Sequence, residues 1–96
     1  GDGEQRRDMI HVSDIVSANL AAATTTNKQA FGEIFNIGTG VNYSVNAMAA
    51  LISDNTTNLD ARPGEARVTL SNSDKAKQLL GWESTVDFTT WVKENL

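Results

Sequence analysis

The 96-residue sequence has no cysteine, one proline, one tyrosine and one histidine. Without cysteine there is no disulfide framework and no thiolate metal site, and a reducing compartment is compatible. A lone histidine, His11, offers no second metal ligand of its kind, and no Ser/His/Asp set is in view. It reads as a packed or hydrogen-bonded residue, with a pocket-lining role as the alternative. No apolar run approaches the roughly 20 residues of a membrane helix. Basic residues are also short, 8 against 12 acids for a net charge of -4, which argues against a nucleic-acid partner. No secretory leader is visible in the polar opening "GDGEQRRD". A turn-like GDG feeding straight into a strand, with no initiator Met, reads as the middle of something longer. The expected setting is the cytoplasm, with no membrane contact and no bound metal.

What is present is ordinary for a soluble globular chain, 40% apolar and 21% charged. The length allows one small domain, residues 1–96, with a thin stability margin. "RDMIHV" alternates as a short strand over residues 7–12, and Ser13 and Asp14 suit the N-cap and first turn of a following helix. That helix places Ile15, Ala18 and Ala22 on one side, with Val16 and Leu20 beside them. Residues 34–37 read as a second strand. Ser44 can cap a helix over "VNAMAALI", with Val45, Met48 and Ile52 as its stripe. "VTL" reads as a brief strand. Ser73 starts a short helix that Gly81 ends in a left-handed conformation, returning Trp82 over it. Asp87 caps a last helix that buries Phe88, Trp91 and Val92. The fold class is α/β, a small mixed domain of short strands and about four helices.

Three stretches bear on chemistry. "FNIGTGVNYSV", residues 35–45, has the strand–glycine turn–helix order of a dinucleotide loop. Gly38 and Gly40 fit, but Tyr43 stands where a third glycine lets the helix close against the strand. We therefore read a tight turn, with Tyr43 and Ser44 able to line a pocket at the helix start. "RPGE" suits a type II turn that brings Arg62 and Glu65 together. A guanidinium beside a carboxylate can clamp a phosphate and accept ribose hydroxyls. A plain surface turn with an Arg–Glu pair is the alternative. In "RRDMIHV", Arg7, Met9 and His11 share one strand face, and Asp8 shares the other with Ile10 and Val12. A carboxylate among aliphatics needs backbone N–H groups or an arginine, so Asp8 reads as structural.

Taken in order, "GDGEQRRDMIHVSDIVSANLAA", "FNIGTGVNYSV" and "ARPGEARVTLSNSDKAKQLLGW" resemble the carboxyl-terminal part of the extended short-chain dehydrogenases. The likeness is to NAD-dependent nucleotide-sugar epimerases and dehydratases of the UDP-glucose 4-epimerase type. It implies the substrate-binding part of such an enzyme without the Rossmann half that holds NAD. The family's GxxGxxG loop and catalytic Tyr-x-x-x-Lys are not in these residues: Tyr43 is followed at position 47 by Ala. The resemblance thus implies no cofactor and no catalytic residue here, and a chain that is not catalytic alone. It implies Arg7 and Arg62 as diphosphate ligands and Glu65 as a ribose ligand, with Tyr43 at the pocket, and a UDP-sugar as the expected ligand. A Rossmann domain or a second copy is the expected protein partner. The alternative is a free-standing nucleotide-sugar-binding or self-associating module without activity. Met9 replaces an aromatic, Ser13 an Asp and Ala47 a Glu of the family pattern, and the connection from Ile52 to Arg62 is short. These departures fall more on the sugar side than on the phosphate side.

Overall fold

In the computed structural model, which describes residues 1–96, backbone pairing gathers around Arg6. Strand β1 (Arg6–Arg7) lies antiparallel to β2 (Tyr43–Ser44), in the register Arg6 to Ser44 and Arg7 to Tyr43. On its other side Arg6 donates its N–H to the Arg67 carbonyl at 2.9 Å and accepts from the Thr69 N–H at 3.0 Å. The strand expected over residues 7–12 is therefore two residues long and begins one residue earlier. "VTL" contributes a single parallel bridge at Val68. Residues 34–37 form no ladder, and their backbone makes no hydrogen bond to the rest of the chain. An extended segment becomes a strand only when a neighbour takes its N–H and C=O groups, and this chain supplies none there.

Four helices follow from local signals. Helix α1 (Val12–Thr24) starts earlier than expected, because the His11 ring nitrogen Nδ1 accepts from the Ser13 N–H at 3.0 Å and takes the cap position. Val12 accordingly lies at the exposed helix start rather than beside Asp8 on a strand. Helix α2 (Val45–Ala50) is capped by Ser44, whose hydroxyl accepts from the Ala47 N–H at 3.0 Å. It ends before Ile52, which is exposed. Helix α3 (Asp74–Leu80) has Ser73 at its N-cap, but that hydroxyl is turned toward Gly38, and Asn72 accepts the Asp74 N–H instead. Gly81 ends it at φ +67°. The Gly81 N–H bonds the Lys77 carbonyl at 3.1 Å, the single bond of an αL ending rather than the pair of a Schellman motif, and the Trp82 N–H reaches back to the Ala76 carbonyl at 3.4 Å. Helix α4 (Phe88–Asn95) is capped by the Asp87 carboxylate, which takes the Thr90 N–H at 3.0 Å.

The core is small. Ala18 and Ala76 let α1 and α3 approach around Trp82, with Ile10, Ala21, Phe35, Ile37 and Leu80 against them. The Trp82 indole N–H is satisfied by the Ser17 hydroxyl at 2.9 Å. Ala21, not Ala22, completes the packed face of α1, and on α4 only Val92 is fully buried, Phe88 being half-buried and Trp91 exposed. Along α1, Val12, Val16 and Leu20 form an exposed stripe at i, i+4 and i+8, and Ile34 is 84% exposed. The accessible surface is 6840 Å², against about 5400 Å² for a closed monomer of this mass. The radius of gyration is 16.1 Å, against about 12.5 Å for a compact chain of this length. The molecule is a slab 15 Å thick along its shortest axis, with an uncovered apolar stripe along α1. No helix is long and apolar enough to cross a membrane.

Candidate functional site

Three of the four sequence-predicted site residues converge at the ladder. The β1–β2 register sets Arg7 opposite Tyr43, which puts both side chains on one face of the pair. Glu65 reaches the same place from a loop 58 positions away in the chain, its Oε1 lying 3.7 Å from Arg7 Nη2. Arg7 is held as well as placed. Its Nη1 donates to the Arg6 carbonyl at 2.8 Å and its Nη2 to the Ala66 carbonyl at 2.6 Å. The Tyr43 hydroxyl donates to Asp87 at 3.4 Å, and its ring leans on Phe88 with centroids 5.5 Å apart.

The fourth residue stands apart. The "RPGE" turn forms, with Gly64 at φ +79° and the Glu65 N–H on the Arg62 carbonyl at 3.4 Å. Arg62 takes part through its carbonyl, and Glu65 pairs with Arg7 rather than with Arg62. A turn fixes the backbone of its corner residues but leaves two long side chains free to choose other partners.

The glycine turn has a different occupant from a phosphate. The Asp8 Oδ1 accepts from the Thr39 N–H at 3.0 Å and the Thr39 hydroxyl at 2.6 Å. Its Oδ2 accepts from the N–H groups of Gly40 and Ser71, each at 3.0 Å. Burial alone would raise the Asp8 pKa, but the Thr39, Ser71 and Gly40 hydrogen bonds outweigh it and hold the carboxyl below its usual range. A Cβ on Gly38 would overlap the Ser71 side chain. So this glycine serves close packing of two loops. The first N–H groups of α2 are likewise taken, Val45 by the Gln5 carbonyl at 2.9 Å and Asn46 by the Gly3 carbonyl at 2.8 Å. The pocket of free N–H groups expected at the helix start is closed by the protein itself. These residues do not fit a dinucleotide cofactor, because every donor that would hold its phosphates already has a partner. Tyr43 instead lines a cavity of about 150 Å³ with Met9, Val41 and Phe88. Larger openings of about 440 and 460 Å³ flank the glycine turn, and Arg7, Arg62 and Glu65 line neither.

Sequence reasoning missed one anchor. Asp14 is 2% exposed, and its carboxylate accepts from the Thr85 N–H and hydroxyl and from the Val86 N–H. Burial opposes ionisation, but those bonds and the nearby His11 lower its pKa on balance. Its partners lie 71 and 72 positions away, and nothing in the local pattern marks them. His11 itself is a helix cap whose ring lies tilted at 49° to Trp91, with centroids 5.7 Å apart, so it is packed and hydrogen-bonded, and it also lines a cavity of about 160 Å³ with Met9, Ile10 and Phe88.

Known proteins resemble this chain in sequence and in fold. The family model described as GDP-mannose 4,6 dehydratase matches residues 1–95. A putative UDP-glucose 4-epimerase of Methanocaldococcus jannaschii is 34% identical over 99% of this chain and 33% of its own length. The UDP-glucose 4-epimerase of Thermotoga maritima, solved with UDP-glucose, superposes at a TM-score of 0.85 and 35% identity, over 97% of this chain and 31% of that one. The UDP-glucuronic acid 4-epimerase of Bacillus cereus, solved with UDP-glucuronic acid and NAD, gives a TM-score of 0.87 at 30% identity, over 97% and 31%. The chain spans about a third of the length of the curated relatives it matches, corresponding to their carboxyl-terminal part. By sequence and by fold, it belongs to the GDP-mannose 4,6 dehydratase family, among NAD-dependent nucleotide-sugar epimerases and dehydratases.

Proposed function

We propose that this chain is the substrate-binding portion of an NAD-dependent nucleotide-sugar epimerase or dehydratase and that it holds the diphosphate of a UDP-sugar. The observation that carries the reading is the meeting of Arg7, Tyr43 and Glu65 on one side of the ladder. Arg7 has five N–H donors and spends two on carbonyls. Three remain for an anion, on a guanidinium fixed in place before any ligand arrives. Arg62 adds a second positive charge across the turn, and Glu65 offers acceptors to ribose hydroxyls. Tyr43 borders the site.

In this reading the chain binds and orients but performs no chemistry alone. NAD belongs to a separate domain, in the cytoplasm. The exposed apolar stripe of Val12, Val16 and Leu20 and the unpaired backbone of residues 34–37 support a Rossmann domain as the neighbour. The same stripe supports a second reading, a self-associating module, which light scattering across a concentration series separates from a monomer. The binding proposal is tested by calorimetric titration with UDP. Wild type binds, and Arg7→Ala weakens binding at least tenfold, as loss of a charge-assisted contact should. Equal affinity in the two proteins would overturn it.

A further inference from the structure

We propose that Glu65 is a built-in competitor for the anion at Arg7, a carboxylate that stands in for the diphosphate until ligand displaces it. The inference rests on the anion-site reading above and says how that site is kept when empty. The geometry is that of a placeholder. At 3.7 Å the Arg7–Glu65 contact is an ion pair but too long for a hydrogen bond. The bonds that fix Arg7 go to the carbonyls of Arg6 and Ala66, so the guanidinium keeps its position when Glu65 leaves. The Glu65 side chain is the more exposed of the two, 41% against 23%, and swings out without opening the core. Because Ala66 is its neighbour in the chain, the loop that grips Arg7 is the one that carries the competitor. The release has a use: a carboxylate freed from Arg7 becomes an acceptor for the ribose next to the diphosphate. One residue thereby opposes a bare anion and favours a nucleotide.

Inorganic pyrophosphate and UDP are the probes, titrated against the full chain and two single-charge variants. Glu65→Gln removes the competing charge at the site. Glu83→Gln removes an equal charge from an exposed pair with Lys77 and controls for net charge. The inference predicts that Glu65→Gln binds pyrophosphate about two- to five-fold more tightly, the weight of one exposed ion pair. Glu83→Gln leaves pyrophosphate binding unchanged. The advantage of UDP over pyrophosphate narrows in Glu65→Gln. If pyrophosphate affinity is unchanged or falls in Glu65→Gln, or rises equally in Glu83→Gln, the competitor role is overturned while wild-type UDP binding leaves the anion site standing. If wild type binds neither probe, both fail.

Discussion

Asp8→Asn is the sharpest perturbation of this fold. The carboxylate takes four donors, two on each oxygen: Thr39 N–H and hydroxyl on Oδ1, Gly40 and Ser71 N–H on Oδ2. An asparagine offers one acceptor oxygen and one donor nitrogen. Whichever way the amide turns, its NH₂ faces two groups that had donated to oxygen. Two hydrogen bonds to a charged acceptor are lost, at about 1.5–3 kcal/mol each. The half-exposed site returns part of that through water, leaving a net cost of about 2–4 kcal/mol. A chain of this size has roughly 5–15 kcal/mol in total, and its small core argues for the low end. Urea unfolding followed by circular dichroism should thus show a large drop in midpoint with an unchanged slope. A loss under 1 kcal/mol would refute the claim that Asp8, rather than a ligand, satisfies the glycine turn.

Acidity should act in the same direction. Asp8, Asp14 and Asp87 are all held below the usual carboxylate range, and Asp2, bonded to Arg67, is lowered to about 2. A lowered folded pKa gives stability that is present above the unfolded value, about 3.9, and is lost as pH falls through the folded values. Melting temperature should hold steady down to about pH 5 and then decline toward pH 2; a flat or rising trend there contradicts the assignment. Gly38→Ala should cost at least 2 kcal/mol in the same unfolding assay, since its methyl overlaps Ser71 and presses the Asp8 loop. Trp82→Ala should remove about 3–5 kcal/mol by emptying the centre of the core, which brings the chain close to its unfolding midpoint by far-ultraviolet dichroism; an unchanged urea midpoint would show that the core lies elsewhere.

Legibility in the sequence followed the range of the interaction. Ser44, Gly81 and Asp87 were readable because a cap acts within four residues, and their neighbours spell out the partner. Asp8 was readable by need, since a carboxylate beside aliphatics must find donors, although which donors was not. The pairing of Glu65 with Arg7, and of Asp14 with Thr85 and Val86, depends on how distant loops are brought together, and no local pattern encodes that. The strand over residues 34–37 failed for a related reason. Its residues are apolar enough for a short strand, but a strand is completed by its neighbour, and none of these 96 residues provides one. At the site, residue types pointed to an anion clamp, and the fold then chose the partners, joining Glu65 to Arg7 and leaving Arg62 to the turn backbone.

The most direct test of the central claim is an amide NMR titration of the chain with UDP-glucose. The account predicts a dispersed spectrum in which shifts centre on Arg7, Tyr43 and residues 62–66, while the Asp8–Thr39–Gly40 turn stays still. A dispersed spectrum in which Arg7, Tyr43 and residues 62–66 ignore the ligand would contradict it.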